Sequence, residues 1–209
     1  MSESTIIPAV QNFEFFSTVH EMRANTRTFA EFFAGIGLTH LGLASHGWKC
    51  VYANDIEPKK KRMYENQFGK ADYYQVEDVW NTGKIVSKIP AIPIDLATAS
   101  FPCVDLSLAG NLRGFAGDQS GAFNGFTKVL AALRQEGRLP RAVLVENVIG
   151  FLTSHNGRFL RTALKALSNL GYYMDAFVLD LKHFVPQSRR PCANPTFSLK
   201  IATVCKVLH

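Results

Sequence analysis

The sequence predicts an α/β fold in which a mainly parallel sheet is covered by helices on both faces. Apolar, strand-like runs alternate with helix-like stretches from Thr28 onwards. Strands that alternate with helices of this length are typical of parallel sheets packed on both sides. The chain has 209 residues, 47% of them hydrophobic, which is enough to bury one substantial core. We therefore expect a single main domain.

The first half of the chain alternates regularly between the two kinds of element. Its predicted elements are, in order, a strand at 28–33, a helix ending at Gly47, a strand at 48–53, a helix at 57–68, a short strand before Glu77 and a helix at 79–89. Upstream of these elements, Phe13, Phe16, Val19 and Met22 could share one face of a short helix. We treat residues 1–27 as an N-terminal extension.

The second half continues the alternation. Its predicted elements are a strand at 94–100, a glycine-rich loop at 108–121, a helix at 126–133, a strand at 142–146, a helix at 157–170 and a strand at 173–181.

Composition narrows the functional classes only in part. The formal net charge of +6 is compatible with an anionic partner such as nucleic acid, although many basic proteins bind no anion. The four cysteines contain no CxxC pair, which argues against a zinc site and against a disulfide framework. No apolar run reaches transmembrane length, and the first ten residues lack the pattern of a signal peptide. We expect a soluble, cytoplasmic protein that needs no metal.

A candidate nucleophile follows the strand at 94–100. Cys103 comes directly after Phe101 and Pro102, where the strand ends in a polar, glycine-bearing loop. Ligand chemistry in open α/β folds takes place at the carboxyl ends of the strands. A lone cysteine is more often a buried apolar residue than a nucleophile. Its position at a strand end favours the catalytic interpretation.

A glycine loop follows the first strand. The run Phe33-Ala34-Gly35-Ile36-Gly37 lies between a strand and a helix, where glycines allow the backbone to approach a ligand closely. The run lacks the third glycine of the dinucleotide-binding fingerprint. Taken alone, a purely structural turn is an equally good interpretation.

Two carboxylates follow the next two strands. Asp55 ends the second strand, where an acidic side chain can accept hydrogen bonds from ribose hydroxyls. Asp78, with the apolar Val79 beside it, follows the third strand-like stretch and could meet an adenine amine and ring. Each carboxylate could also be only a helix N-cap, and this alternative is serious for Asp78 because a helix is predicted from Val79.

Glu146 ends the apolar run at 142–145 and has no cationic neighbour in the sequence. An apolar setting favours a protonated carboxyl, which could donate a hydrogen bond or a proton to a ring nitrogen. A carboxylate that caps the next helix is the alternative. Further along, Arg189 and Arg190 are either surface charges or cationic donors to a base or phosphate.

Together these motifs resemble the DNA cytosine-5 methyltransferase family from about Thr28 to Arg190. The order of the motifs also matches that family. The resemblance implies a Rossmann-like S-adenosylmethionine-dependent methyltransferase fold, with S-adenosylmethionine as methyl donor, S-adenosylhomocysteine as product and double-stranded DNA as substrate. A restriction–modification setting is the commonest context of the family.

The resemblance also implies a role for individual residues. Asp55 would bind the ribose, Asp78 the adenine amine, and Phe33, Ile56 and Val79 would surround the adenine ring. The remaining cofactor-binding positions are Ala34, Gly35, Ile36, Gly37 and Pro102. The DNA-binding positions are Ser107, Arg113, Asn147 and Gln187, of which Asn147 would also help to hold the active-site loop.

The implied chemistry uses Cys103 and Glu146. Cys103 would attack C6 of a cytosine while Glu146 hydrogen-bonds the protonated N3, and Arg189 would orient the base. C5 would then take the methyl group, after which the C5 proton and the thiolate leave. A cytosine stacked in a duplex cannot reach these groups, so the base must be flipped out. The loop at 108–121 is the candidate for the segment that closes over DNA.

The sequence departs from the family pattern after Arg190. The family has a second arginine two positions after the first and then an apolar strand, whereas this chain has Pro191 at that position. We therefore assign residues 28–190 to the catalytic domain and 191–209 to a divergent C-terminal tail. The region that reads the target sequence and the closing C-terminal segment are not found.

This departure leaves three explanations open: a second polypeptide that carries the target-recognition domain, a truncation or frameshift, or a compact variant. A noncatalytic subunit that binds S-adenosylmethionine or DNA, and an RNA cytosine-5 methyltransferase, remain alternatives.

Overall fold

The computed structural model describes residues 26–102, 120–148, 151, 154–180 and 199–207. Within them, seven strands form one sheet in the order β3-β2-β1-β4-β5-β7-β6. The strands are β1 (Thr28–Phe32), β2 (Lys49–Asp55), β3 (Tyr74–Val76), β4 (Leu96–Ala99), β5 (Ala142–Val148), β6 (Tyr172–Asp180) and β7 (Leu199–Val207). The first five are mutually parallel, and β7 runs antiparallel to both β5 and β6.

Five α-helices connect the strands in the described part of the chain. They are α1 (Leu38–Ala44), α2 (Pro58–Phe68), α3 (Thr82–Lys88), α4 (Ser120–Gln135) and α5 (Arg158–Asn169), with a 3-10 turn at Ser154–Gly157 before α5. None of the helices in this part of the chain is both long and apolar enough to cross a membrane.

The helices pack on both faces of the sheet, as predicted. On one face, α3, α4 and α5 bury apolar side chains against β1, β2, β4 and β5, with Phe126, Leu130 and Leu167 almost inaccessible to solvent. On the other face, Tyr64 of α2 packs against Phe29 of β1. Burial on both sides explains why the central strands have little polar–apolar alternation.

The start of α2 follows from local chemistry. Pro58 occupies the first turn, where its missing N–H costs nothing, and the carboxylate of Glu57 accepts a hydrogen bond from Lys59 N at 3.2 Å. Gly69, with φ at 77°, ends the helix. The predicted helix at 57–68 is therefore confirmed almost to the residue.

Two helices begin at positions other than those predicted. The helix predicted from Val79 begins at Thr82, because Val79 and Trp80 lie in a turn. The helix predicted from Phe126 begins at Ser120, six residues earlier. Most of the predicted loop at 108–121 and the predicted N-terminal helical face at 13–22 lie outside the described residues.

The structure also differs at the end of the chain. The segment set apart as a tail contains β7, which is inserted between β5 and β6 and pairs with β5 from Ala142 to Val148. The sequence analysis predicts no strand here, because Pro191 departs from the family pattern and indicates the end of the core. The strand nevertheless has the β-branched and apolar composition that favours a sheet.

Gly37 is the tightest point of the packing between α1 and α2. Its φ is 87°, and a Cβ atom at this position would lie 2.3 Å from Phe68 Cε2 and 2.8 Å from the ring of Tyr64. A side chain here would meet both an unfavourable backbone conformation and a steric overlap.

We therefore expect Gly37→Ala to lower the free energy of unfolding by roughly 2–4 kcal/mol. Urea unfolding followed by circular dichroism measures this loss. The matched control is Gly42→Ala in α1, where a Cβ would have no neighbour within 4 Å. That change should be neutral or stabilising by up to about 1 kcal/mol. Equal stability of the two variants would contradict the close contact at Gly37.

Candidate active site at the carboxyl edge of the sheet

Parallel pairing brings the ends of five strands to one edge. Phe32 of β1 pairs with Asn54 of β2 and with Ala99 of β4, and Ala99 in turn pairs with Val145 of β5. The residues that follow these positions therefore lie along the same edge. In open α/β sheets this is the edge at which ligands bind.

The glycine loop is fixed to the end of β2. Ala34 N donates to Asn54 O at 2.8 Å, and Gly35 N donates to Asp55 Oδ2 at 3.1 Å. The hydroxyl of Tyr74 donates to Gly35 O at 3.0 Å from the side of β3. Phe33 and Gly35 both have φ near 57°. The loop is thus a tight turn whose backbone is held by hydrogen bonds to the ends of β2 and β3.

Asp55 is buried at the end of β2, with 4% of its surface exposed. Its carboxylate accepts from Gly35 N and from Glu57 N, and both oxygens lie within 3.1 Å of Lys60 Nζ. The next residue, Ile56, is 64% exposed. The end of β2 therefore presents a carboxylate, Asp55, directly beside an exposed apolar side chain, Ile56.

The end of β3 supplies a second polar position. Asp78 Oδ1 accepts a hydrogen bond from Trp80 N at 2.9 Å, and the N-cap residue of α3 is Asn81. Asp78 is therefore not the N-cap of this helix. The alternative interpretation of Asp78 as only a helix-capping carboxylate is excluded. Val79 is buried and lies against Gly125 of α4. It therefore belongs to the hydrophobic core at this edge of the sheet.

The end of β4 is attached to both neighbouring loops. The ring of Phe101 is buried and contacts Phe33 at 6.3 Å, Phe123 at 5.4 Å and Phe151 at 5.7 Å between centroids. Pro102 is exposed beside it. The segment that precedes Cys103 in the chain is therefore held in place by the packing of Phe101.

Asn147 connects β5 to this approach. Its side chain is 3% exposed, and Nδ2 donates to Phe101 O at 3.3 Å. In this conformation Asn147 supports the loop after β4 and does not face solvent. Its neighbour Glu146 is partly buried on β5, one position beyond Val145.

The structure thus brings the glycine loop, Asp55, Asp78, Pro102 and Glu146 to one edge of the sheet. The remaining sequence-predicted site residues lie outside the described residues, namely Cys103, Ser107, Arg113, Gln187 and Arg189.

A buried polar cluster behind the glycine loop had not been identified from the sequence. Ligand atoms of Glu31, His40 and Cys50 lie within 4.8 Å of one another, a spacing that a metal ion could bridge. His40 Nδ1 is hydrogen-bonded to the hydroxyl of Tyr64, which also contacts Cys50 Sγ at 3.8 Å. Burial raises the pKa of the Cys50 thiol to about 12, so the thiolate that a metal prefers is disfavoured. We interpret this set as a buried hydrogen-bond network.

Glu31 of β1 lies near the first turn of α1. Polar groups of Thr39 and His40 lower the pKa of its carboxyl, yet burial dominates and raises that pKa to about 7. Burial also lowers the pKa of His40. Sequence alone gave no signal for this network, because Glu31 is one polar residue within an otherwise apolar strand.

The sheet order, the glycine loop after β1 and the acidic residues after β2 and β3 define the class of the protein. This is the Rossmann-like fold of S-adenosylmethionine-dependent methyltransferases, as predicted. The family model described as C-5 cytosine-specific DNA methylase matches residues 27–191. The chain belongs to this family.

Relatives and solved structures agree with the assignment. The chain is 31% identical over 189 residues to the type II methyltransferase M.BsuFI of Bacillus subtilis, covering 90% of this chain and 42% of the relative. It is 32% identical over 165 residues to M.HpaII of Haemophilus parainfluenzae, covering 78% and 43%. The crystal structure of the S. pombe Dnmt2 methyltransferase matches with a TM-score of 0.62 and 25% identity, covering 87% of this chain and 49% of that one.

These comparisons also show a difference in length. The chain spans less than half of each of these two type II methyltransferases.

The buried carboxyl of Glu31 predicts a pH dependence of stability. Its pKa of about 7 in the folded state exceeds the value of 4.5 of a solvent-exposed glutamate, so the folded state holds a proton that the unfolded state releases. The resulting stabilisation is complete below about pH 4.5 and is lost as the pH rises to about 7, a change of up to about 3 kcal/mol. Glu31→Gln should lack this loss. Urea unfolding of both proteins between pH 5 and 8 measures the difference, and a pH-independent difference would contradict the prediction.

Proposed function

We propose that the chain carries the catalytic part of a DNA cytosine-5 methyltransferase, which transfers a methyl group from S-adenosylmethionine to C5 of cytosine. Membership of the family carries the proposal. It is supported by the close approach of the glycine loop, Asp55 and the loop after β4 along one edge.

The described residues fit the methyl donor. The carboxylate of Asp55 would accept from the ribose hydroxyls, and the exposed side chain of Ile56 would cover one side of the adenine. Phe33 and Val79 would bound the ring from the core side, with Asp78 at its amine. The tight turn at Gly35–Gly37 would let backbone groups approach the donor, with Ala34, Ile36 and Pro102 beside it. S-adenosylmethionine would supply the electrophilic methyl group.

The chemistry on cytosine would fall to Cys103 and Glu146. The Cys103 thiolate would form a bond to C6 while Glu146 donates a hydrogen bond at N3, which places electron density on C5. After C5 takes the methyl group, loss of the C5 proton expels the thiolate and restores the aromatic ring. The cytosine must leave the duplex first, at a cost of about a few kcal/mol.

Other residues would position the base and the loop. Asn147 would hold the loop after β4 through its bond to Phe101 O. Arg189 would orient the cytosine, and Ser107, Arg113 and Gln187 would contact DNA. The formal charge of +6 favours association with a polyanion.

We also propose that target recognition requires a further polypeptide region. The chain spans less than half of the type II methyltransferases that it matches. A second polypeptide that carries a target-recognition domain would supply the function of the region of those relatives that this chain does not match.

Transfer of labelled methyl groups from S-adenosylmethionine to mixed-sequence duplex DNA tests both proposals. We expect incorporation when the product of the neighbouring gene is present and little without it. Robust sequence-specific methylation by the chain alone would contradict the need for a partner. Donor binding without transfer under either condition would instead favour a noncatalytic subunit, and transfer to RNA alone would favour an RNA methyltransferase.

Cys103→Ser separates chemistry from binding in the same assay. Replacing the thiol should lower methyl transfer by about a thousandfold or more, because the hydroxyl is a much weaker nucleophile, while donor affinity is unchanged. Cys192→Ser is the matched control, since no role is assigned to that thiol, and it should retain activity. Equal turnover of the Cys103→Ser variant and the wild type would exclude Cys103 as nucleophile.

A further inference from the structure

The carboxylate of Asp55 already accepts four hydrogen bonds. Gly35 N donates to Oδ2 at 3.1 Å and Glu57 N donates to Oδ1 at 3.0 Å. Lys60 Nζ lies 3.1 Å from Oδ1 and 3.0 Å from Oδ2. A carboxylate offers about four lone-pair positions. A ribose diol can therefore bind Asp55 only if it replaces one of these donors.

Lys60 is the donor that can leave. The N–H groups of Gly35 and Glu57 belong to the backbone, and the neighbouring bond from Ala34 N to Asn54 O holds the glycine loop in place. The side chain of Lys60 is long and 42% exposed, so it can turn into solvent without any movement of the fold. Solvation of the released ammonium would offset much of the lost ion pair.

The surroundings of Lys60 also weaken its attachment. After the N-cap residue Glu57, the first turn of α2 contains no acidic residue. A cation in the first turn of a helix is destabilised by the positive end of the helix dipole. Within the described residues, Asp55 is the anion that Lys60 contacts.

We propose that Lys60 is a positioning residue that competes with the donor ribose for Asp55. Before the donor binds, Lys60 orients the buried carboxylate through the ion pair. When the donor binds, the ribose hydroxyls replace the ammonium, which moves into solvent. This inference rests on the proposed donor site and adds to it a residue that limits donor affinity.

The experiment measures the affinity of the full 209-residue chain for S-adenosylhomocysteine by calorimetry. This product lacks the sulfonium charge, so a general change in electrostatic potential contributes little to its binding. We expect Lys60→Met to bind it about two- to fivefold more tightly than the wild type does. Lys60→Arg should bind it no more tightly than the wild type does, because the guanidinium keeps, and can strengthen, the ion pair.

Lys61→Met is the matched control on the same helix turn. Lys61 pairs with Glu65 at 3.8 Å and does not contact Asp55, so its loss should leave the affinity unchanged. A merely structural role of Lys60 would lower the melting temperature of Lys60→Met without tightening its binding.

Weaker or unchanged binding by Lys60→Met would overturn the competition. Asp55→Asn distinguishes this failure from a failure of the proposed function. If Asp55→Asn weakens binding while Lys60→Met leaves it unchanged, the donor site stands and only the competition is wrong. If neither variant differs from the wild type, or if the wild type binds no S-adenosylhomocysteine, the donor site at Asp55 is wrong as well.

Discussion

Two hydrogen bonds fix the glycine loop to the end of β2, at the centre of the proposed donor site. Ala34 N binds the carbonyl of Asn54, and Gly35 N binds the carboxylate of the next residue, Asp55. The first bond joins two backbone groups, and the second joins the backbone to the Asp55 carboxylate, which is proposed to bind the donor. The turn after β1 and the carboxylate after β2 therefore cannot move independently, which gives a donor molecule a preorganised surface.

The contacts of Phe101 join the glycine loop to the loop after β4, which contains Cys103. Phe101 packs against Phe33 of the glycine loop and against Phe123 of α4, and its carbonyl accepts from Asn147 on β5. Aromatic pairs of this kind are worth about 0.5–1.5 kcal/mol each beyond the burial of their surface. The proposed donor site and the proposed nucleophile loop thus both contact Phe101, so a shift of one is transmitted to the other.

The parts of this arrangement that follow from periodicity and chain order could be predicted from the sequence. The strands before Gly35, Asp55 and Pro102 have apolar runs that end in turns, so their common edge follows from parallel pairing alone. The role of Lys60 could not be predicted, because it depends on α2 beginning at Pro58 and turning one particular lysine back towards Asp55. Strand β7 is not predicted from the sequence for a different reason. Its pairing partners β5 and β6 are distant in the chain, and pairing between distant segments leaves no local signal in the sequence beyond composition.

Glu31 and Asp55 are buried carboxyl groups on the same side of the sheet, but only Asp55 is placed to bind a ligand. Glu31 is the fourth residue of β1, opposite Ala53 of β2, where none of the described residues forms an ion pair with it and burial raises its pKa to about 7. Its neighbours include the first turn of α1, so it lies inside the fold and away from the edge. Asp55 lies two residues beyond Ala53, at the edge, where a lysine reaches it from solvent. Because an ammonium on a flexible stem can be exchanged for other donors and a helix backbone cannot, only the carboxylate at the edge is suited to bind a ligand reversibly.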